Sequence, residues 1–303
     1  MELFHIAAGA LVGLIIGLTG VGGGSLMTPI LVLGFGIPPA IAVGTDLLYA
    51  ALTKCSGIYF HHKNKTVDWK VVLLLGSGSV PCSIITISIL EHLKQAGVNF
   101  DNIIMLTLSV MLILTSFIIF IKSRLLAFIH SNHGDSFAVN FVRNFRPQIT
   151  IFCGCILGCV VTLSSVGAGA IGSAILFLLY PRKSSIAIVG TDIAHAVPLT
   201  AIAGLGHLHF GSVDFSLLFG LLFGGIPAIY LGSLIGKKLP DSILRPLIAF
   251  LLLGMGIKLM LSQPLAINFI ETLFQQSSAF LSAQLSGVPI LIDHAISLLK
   301  QQL

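Results

Sequence analysis

Long apolar runs without a charge constrain the fold of this chain more than any other feature. Residues 71–90, 103–121, 149–180 and 215–236 form such runs. Each has about the ~20 residues, or more, with which a helix crosses a bilayer. Only 9% of the 303 residues are charged, against roughly 25% in a soluble domain. The alternating pattern of a membrane barrel is absent from the sequence, so we predict an all-α polytopic membrane protein.

The two halves of the sequence resemble each other. The motif Val43-Gly44-Thr45-Asp46 recurs as Val189-Gly190-Thr191-Asp192, at an offset of 146 residues. Three further pairs recur at offsets of 145 or 146, namely residues 20–24 with 165–169, His61 with His207, and residues 67–69 with 213–215. Internal repeats of about half the chain are common in secondary transporters. We therefore predict a first transmembrane repeat over residues 1–121, a cytoplasmic connecting loop over 122–147 and a second repeat over 148–262.

Lysine and arginine residues predict the orientation of the chain in the membrane. The connection at 122–146 holds four of them, and such residues collect on the cytoplasmic side. If residues 149–180 crossed the bilayer once, Arg182 and Lys183 would lie outside, against this rule. That run would make ~48 Å of helix, which is long for one ~30 Å crossing and short for two. We therefore expect it to enter the membrane, break at residues 165–169 and return to the same face.

The same reasoning applies to residues 3–33, which we expect to break at 20–24, and it places the amino terminus outside. Asp68 then lies at the cytoplasmic face and its counterpart Asp214 at the external face. The two repeats are accordingly predicted to be inverted, each with a glycine-broken helical hairpin and about three transmembrane helices. The weakly amphipathic tail at 263–303 predicts an interfacial helix or a contact with a partner subunit of a homo-oligomer.

The two glycine-rich breaks are candidate substrate sites. A helix that starts inside the membrane offers free backbone N–H groups and a positive dipole end to an anion, and glycine lets a ligand approach the backbone closely. The alternative is that these glycines only allow close helix packing. The predicted substrate-binding residues are Gly22, Gly23, Gly24 and Ser25 in the first break and Gly167, Ala168 and Gly169 in the second.

Two acids inside apolar segments are candidates for proton coupling. Asp46 and Asp192 follow the matching threonines Thr45 and Thr191, whose hydroxyls are predicted to bind substrate beside them. An ionisable residue within a span is costly and marks a functional site by default. His195 lies three residues after Asp192, on the same helix face, and we predict a proton relay through this pair. A purely structural role for each acid, as a helix cap or beside a basic residue, is the open alternative.

Several kinds of partner and chemistry are not expected. The net charge of +5 is modest and the basic residues lie in short connections, so no nucleic-acid surface is indicated. The five cysteines fall in apolar segments and lack the spacing of a zinc site, so no metal or cofactor is predicted. No nucleophile with a base and an orienting partner stands out, which argues against an enzyme.

These motifs together resemble the TauE/SafE family of sulfite and organosulfonate exporters. The resemblance covers about residues 5–262 and is carried by the glycine-rich segment 17–24, by Val43-Gly44-Thr45 and by Val67-Asp68-Trp69, with their second-half counterparts. It implies a multi-pass permease of the bacterial inner membrane that moves a small sulfur-containing anion, such as sulfite or an organosulfonate, by alternating access.

Two departures from the family pattern bear on the substrate. The second break reads Ser165-Val166-Gly167-Ala168-Gly169 rather than a full triple glycine, and an Asp follows each Gly-Thr where the family often has Ser. Acids beside an anion site repel the anion unless they are protonated or paired, which favours proton coupling or a cationic substrate. The rival hypotheses are a membrane-embedded enzyme that uses Asp192 and His195 and an accessory membrane subunit.

Overall fold

The computed structural model describes residues 2–19, 24–98, 100–131, 144–236 and 241–263, and every regular element in these ranges is an α-helix. The helices are α1 (Glu2–Thr19), α2 (Gly24–Phe35), α3 (Pro39–Lys63), α4 (Trp69–Gln95), α5 (Asp101–Ser131), α6 (Arg146–Ser164), α7 (Ala170–Leu179), α8 (Ser185–His209), α9 (Phe215–Gly236) and α10 (Asp241–Leu261). Five of them, α4, α5, α6, α8 and α9, are long and apolar enough to cross a membrane. The predicted all-α, multi-pass class is confirmed.

The predicted helix break in the second half lies where the sequence places it. Helix α6 ends at Ser164 and α7 begins at Ala170. In the turn between them, Ser165, Gly167 and Gly169 have φ angles of 57°, 121° and 133°, a region that glycine tolerates far better than other residues. The corresponding first break separates α1 from α2, but residues 20–23, including Gly22 and Gly23, lie outside the described residues.

Helices α6 and α7 form a hairpin that returns to the end where it began. The hydroxyl of Tyr180, just after α7, lies 3.0 Å from the hydroxyl of Thr150 in the second turn of α6. Its ring centroid is 5.3 Å from the guanidinium carbon of Arg146, the first residue of α6. The ion pair of Lys183 with Asp68 brings the next loop to this same end. The entry and return predicted from the charges therefore agree with the contacts.

Asp68 fixes the start of α4 at this end of the bundle. Its carboxylate accepts hydrogen bonds from the backbone N–H groups of Lys70 at 3.0 Å and Val71 at 3.3 Å, and it pairs with Lys183. Partial burial acts to raise the pKa of Asp68, but the bonds from Lys183 and the backbone outweigh it and lower the pKa below its usual value. Asp68 is therefore charged at neutral pH and joins the loop before α8 to α4.

Glycines bring the broken helix of each half against the other half. Along α4 and α6, a Cβ at Gly154 would overlap the backbone of Leu75, and one at Gly158 the backbone of Ser79. The residue numbers of the contacting positions increase in the same direction along both helices, so α4 and α6 run parallel. Helices α1 and α9 repeat the arrangement, with Gly9 against Leu221 and Gly13 against Gly225. Small residues at such contacts let membrane helices approach closely, where van der Waals packing drives association.

Helices α3 and α8 cross at the centre of the bundle in antiparallel order. A Cβ at Gly44 would overlap Ser212 and His207, which lie at or after the end of α8, and one at Gly204 would overlap Leu48. In the mirrored position, Gly190 lies against His61 and Thr66, at or after the end of α3. Each Val-Gly-Thr-Asp motif thus packs on the end of the equivalent helix of the other half.

Two predicted segments extend beyond what the structure describes. Helix α5 continues to Ser131, ten residues into the connecting loop predicted at 122–147, and residues 132–143 of that loop are outside the described residues. The tail prediction for 263–303 concerns residues that, after Gln263, are also outside them. The homo-oligomer contact and the boundaries of the two repeats stay predictions.

The close contact of α4 with α6 predicts that alanine has different effects on thermal stability at two neighbouring glycines of α4. Gly78→Ala should lower the thermal midpoint, because the new methyl would overlap the backbone of Ile151 and Cys155. Gly76→Ala, in the same helix, meets nothing within 4 Å, and alanine favours helix by ~1 kcal/mol over glycine. It should leave the midpoint unchanged or raised. Thermal unfolding of both variants in detergent measures this, and a Gly78→Ala protein that melts at or above the parent contradicts the packing.

Candidate functional site

Two buried carboxylates lie in the interior of the helix bundle. Asp46 of α3 is 0% exposed and Asp192 of α8 is 3% exposed. Each lies seven residues from the start of its helix, about 10 Å along the axis. Because α3 and α8 are antiparallel, the acids enter from opposite ends of the bundle. A buried ionisable group inside a membrane segment is expensive and marks a site.

Asp46 is held by groups from two other helical segments. The hydroxyl of Thr28, in α2, donates a hydrogen bond to its Oδ2 at 2.5 Å. The carboxylate also faces the hydroxyl of Ser165, in the turn between α6 and α7 of the second half. The acid of the first half therefore lies beside the glycine turn of the second half.

Lys54 brings a positive charge to the same turn. Its ammonium donates to the carbonyl oxygen of Ala168 at 3.2 Å, and it lies within electrostatic range of both Asp46 and Asp192. Lys54 lies eight residues after Asp46 on α3, about 12 Å along the helix axis. Its long side chain places the ammonium at the turn that both acids approach.

Asp192 lies against the beginning of α7. A Cβ at Gly172, the third residue of α7, would overlap the Oδ1 atom of Asp192. Glycine at this position therefore makes room for the carboxylate beside the helix start. The two acids and Lys54 together surround the turn at residues 165–169.

The first backbone N–H groups of α7 adjoin the turn. The N–H of Gly172 bonds to the carbonyl of Gly167 at 3.0 Å, and that of Ser173 to the carbonyl of Gly169 at 3.1 Å. The N–H groups of Ala170 and Ile171, which precede them, make no backbone bond within the described part of the chain. In the first half, Gly24 begins α2 and Ser25 is 5% exposed, whereas Gly22 and Gly23 lie outside the described residues.

His195 makes a contact that the sequence did not indicate. Its Nε2 lies 2.8 Å from the hydroxyl of Ser79 in α4, and the imidazole is 1% exposed. Lys54 is also close enough to act on its charge. The relay between Asp192 and His195 stays a prediction, while Ser79, Thr28 and Lys54 join the set of residues at the site.

The hydroxyls of Thr45 and Thr191 connect the two halves. Thr45 accepts a hydrogen bond from the backbone N–H of Asp214 at 3.1 Å. Thr191 accepts one from the N–H of Asp68 at 3.0 Å and donates to the carbonyl of Ala187 at 2.6 Å. Thr45 in the first half thus holds the loop before α9, and Thr191 in the second half holds the loop before α4. Their role as substrate ligands stays a prediction.

The part of the chain that the structure describes contains no group of three or more His, Cys, Asp or Glu side chains placed to hold a metal ion.

The site has the features of a membrane transporter, namely a broken helix hairpin, buried acids and an ammonium inside a bundle of membrane-spanning helices. The chain belongs to the sulfite exporter TauE/SafE family, whose model matches residues 5–259.

Three relatives have the same general description. The probable membrane transporter protein YjnA of Bacillus subtilis (strain 168) is 36% identical over 259 residues, which cover 86% of this chain and 100% of that protein. The probable membrane transporter protein MJ0441 of Methanocaldococcus jannaschii is 31% identical, over 84% of this chain and 94% of its own length. The probable membrane transporter protein YdhB of B. subtilis is 28% identical, over 80% and 96%. No solved structure matches this chain.

Proposed function

We propose that this chain is a secondary transporter of a small sulfur-containing anion, such as sulfite or an organosulfonate, driven by protons and working in a bacterial inner membrane. The observation that carries the proposal is the Lys54 ammonium at the Ala168 carbonyl, between two buried carboxylates. The family supports the substrate class, since its model describes a sulfite exporter.

The turn provides the chemistry that an oxyanion needs. An anion at the start of α7 would receive the N–H groups of Ala170 and Ile171 and the positive end of the helix dipole. Lys54 would supply a full charge after leaving the Ala168 carbonyl, and charge-assisted bonds to oxyanions are roughly twice as strong as neutral ones. A sulfite or sulfonate group, with three oxygens, can use all of these donors together.

The charges around the turn couple the anion to protons. When Asp46, Asp192 and Lys54 are all ionised, the site carries one negative charge in excess, and a further anion is repelled. Each proton taken up by a carboxylate removes one negative charge. Proton binding and anion binding therefore favour each other, which is the thermodynamic requirement for coupled movement.

Alternating access follows from the arrangement of the halves. Equivalent helices α3 and α8 cross in antiparallel order, and equivalent contacts recur with the halves exchanged, which supports inverted repeats at 1–121 and 148–262. In such transporters one repeat rocks against the other around a fixed central site.

Inverted repeats predict the side on which three exposed positions react. In a protein without the five native cysteines, Lys63→Cys and Arg182→Cys should label from one side, because Asp68 and Lys183 join their neighbourhoods. His209→Cys, at the other end of α8, should label from the opposite side. A membrane-impermeant maleimide on oriented vesicles makes the measurement. Labelling of all three from one side would refute the proposed orientation.

Anion binding by Lys54 predicts a defined loss of uptake. Purified protein in liposomes should take up [35S]sulfite saturably, with competition by methanesulfonate and none by chloride. Lys54→Gln should weaken the apparent affinity about 10- to 100-fold, because a hydrogen bond to a charged group contributes ~1.5–3 kcal/mol. Lys70→Gln, an exposed lysine at the start of α4, is the matched control and should match the parent.

Three results separate the proposed function from its rivals. Saturable flux of unchanged sulfite supports transport, chemical conversion of sulfite in the same vesicles would support an enzyme, and neither activity would support an accessory subunit. Equal affinity for sulfite in Lys54→Gln and the parent would remove Lys54 from the binding site.

Coupling through Asp192 predicts a split between two modes of transport. Asp192→Asn cannot exchange a proton, so accumulation of sulfite driven by a pH gradient should be lost while exchange of internal for external sulfite continues. Asp214→Asn is the control, since asparagine preserves its capping bond to the N–H of Leu217. A folded Asp192→Asn protein with the parent's gradient-driven accumulation would show that Asp192 is structural.

A further inference from the structure

The interface of α4, α6 and α8 contains a line of buried hydroxyl and imidazole groups. Ser79 and Ser83 of α4, Thr162 of α6, and His195 and His207 of α8 are each at most 1% exposed. They extend from the Asp192 end of the site along α8 toward its carboxyl end. Buried polar groups in a membrane interior are costly unless they are paired or functional.

Hydrogen bonds connect these groups in two sets. At the site end, the hydroxyl of Ser79 lies 2.8 Å from Nε2 of His195. One helical turn further along α4, the hydroxyls of Ser83 and Thr162 are 2.7 Å apart. Thr162 gives its single proton to the carbonyl of Gly158 at 2.7 Å, so Ser83 is the donor to Thr162. The step between Ser79 and Ser83, about 5–6 Å, is the length that one water molecule bridges.

His207 continues the line at the far end. Its Nε2 donates to the backbone carbonyl of Thr162 at 3.0 Å. Its Nδ1 is buried and has no hydrogen-bond partner within the described residues, and the same holds for Nδ1 of His195. A ring with one nitrogen engaged and the other open can accept a proton on one side and release it from the other.

The equivalent interface in the other half shows that packing does not require the hydroxyls of Ser79, Ser83 and Thr162. In that interface, α9, α1 and α3 correspond to α4, α6 and α8. Helices α1 and α9 approach each other through glycines, as α6 and α4 do. Ser79, Ser83, Thr162 and His195 match Gly225, Ile229, Gly17 and Tyr49, respectively. His207 matches His61, whose Nδ1 lies 2.8 Å from the hydroxyl of Thr66 rather than on the facing helix. Tyr49 fills the space beside Gly225 with its ring and hydroxyl. Among the described residues, the row of small hydroxyls therefore occurs in only one of the two equivalent interfaces.

We propose that Ser79, Ser83, Thr162 and His207 form a proton pathway between the His209 end of the bundle and the acids at the turn. This inference rests on the proton-coupled transport proposed above. A proton enters on Nδ1 of His207, and the Nε2 proton leaves the Thr162 carbonyl for a water that passes it to the Thr162 hydroxyl. Thr162 then turns its own proton from the Gly158 carbonyl to Ser83, and Ser83 turns its proton from Thr162 to the water beside Ser79. Ser79 finally gives its proton to Nε2 of His195, so each hydroxyl gives up one proton for the one it accepts.

The charges around the pathway favour passage of a proton over its retention on His195. Lys54 of α3 faces His195, and its ammonium repels a second positive charge there, while Asp192 beside Lys54 is the acceptor at the end of the route. At the other end, Lys94 of α4 bonds to the carbonyl of Phe210, and Glu91 lies 3.5 Å from His209. Glu91 places a half-buried carboxylate at this end of the pathway.

The test compares gradient-driven transport with exchange. Thr162→Val removes the central hydroxyl at nearly constant volume, and Ser83→Ala removes its donor. In liposomes loaded with a fluorescent pH indicator, each variant should show about tenfold or greater slowing of proton uptake and of [35S]sulfite accumulation under a pH gradient, with sulfite exchange unchanged. Thr162→Ser restores a hydroxyl and should restore coupling. Ser88→Ala, an exposed hydroxyl on α4 that bonds to the Ile84 carbonyl, should behave as the parent.

The outcomes separate this pathway from the function on which it rests. A parent protein that exchanges sulfite but never accumulates it under a pH gradient overturns proton coupling and the pathway together. A coupled parent with equally coupled Thr162→Val and Ser83→Ala variants overturns the pathway alone. Loss of both exchange and accumulation in the two variants, without recovery in Thr162→Ser, would assign the hydroxyls to packing and also overturn it.

Discussion

The rest of the structure depends on one constraint, which is the contact of α1 and α6, the first helix of each half, with the opposite half. In lipid there is no hydrophobic force between helices, so close approach must come from small residues and van der Waals contact. Gly154 and Gly158 give α6 this approach to α4, and Gly9 and Gly13 give it to α1 on α9. The hairpin that contains a helix break is thereby held by the opposite half. A central site then necessarily contains groups from both halves.

The charges at the turn show what this exchange of contacts achieves. Asp46 and Lys54 belong to α3 in the first half, yet they face Ser165 and Ala168 in the turn of the second half. A turn with unsatisfied backbone groups is costly in a membrane interior, and Lys54 satisfies one of its carbonyls. The two acids in turn offset the cost of the partly buried ammonium. In the proposed transporter, a substrate anion that takes over Lys54 changes this balance, and protonation of an acid compensates for the change.

The sequence allowed much of the fold to be predicted, because its signals are local. The glycine break at 165–169, the return of the hairpin and the burial of Asp46 and Asp192 follow from periodicity, charge and repetition. The contacts of Lys54, Thr28 and Ser79 could not be found in this way, since each depends on how distant helices rotate against one another. Thr45 and Thr191 illustrate the limit. Each adjoins an acid in sequence, but successive residues on a helix point about 100° apart, and these hydroxyls bond to loops of the opposite half.

The two halves have kept their packing and diverged in chemistry. Position 195 has an imidazole against the hydroxyl of Ser79, whereas the matching position 49 has a tyrosine against Gly225. Identical halves would give a proton the same path from either end, and transport would then allow protons to leak through both. In the proposed pathway, a row of hydroxyls on one side alone restricts proton entry to one end of the bundle. The two halves can then exchange conformations during alternating access without exchanging their roles in proton coupling.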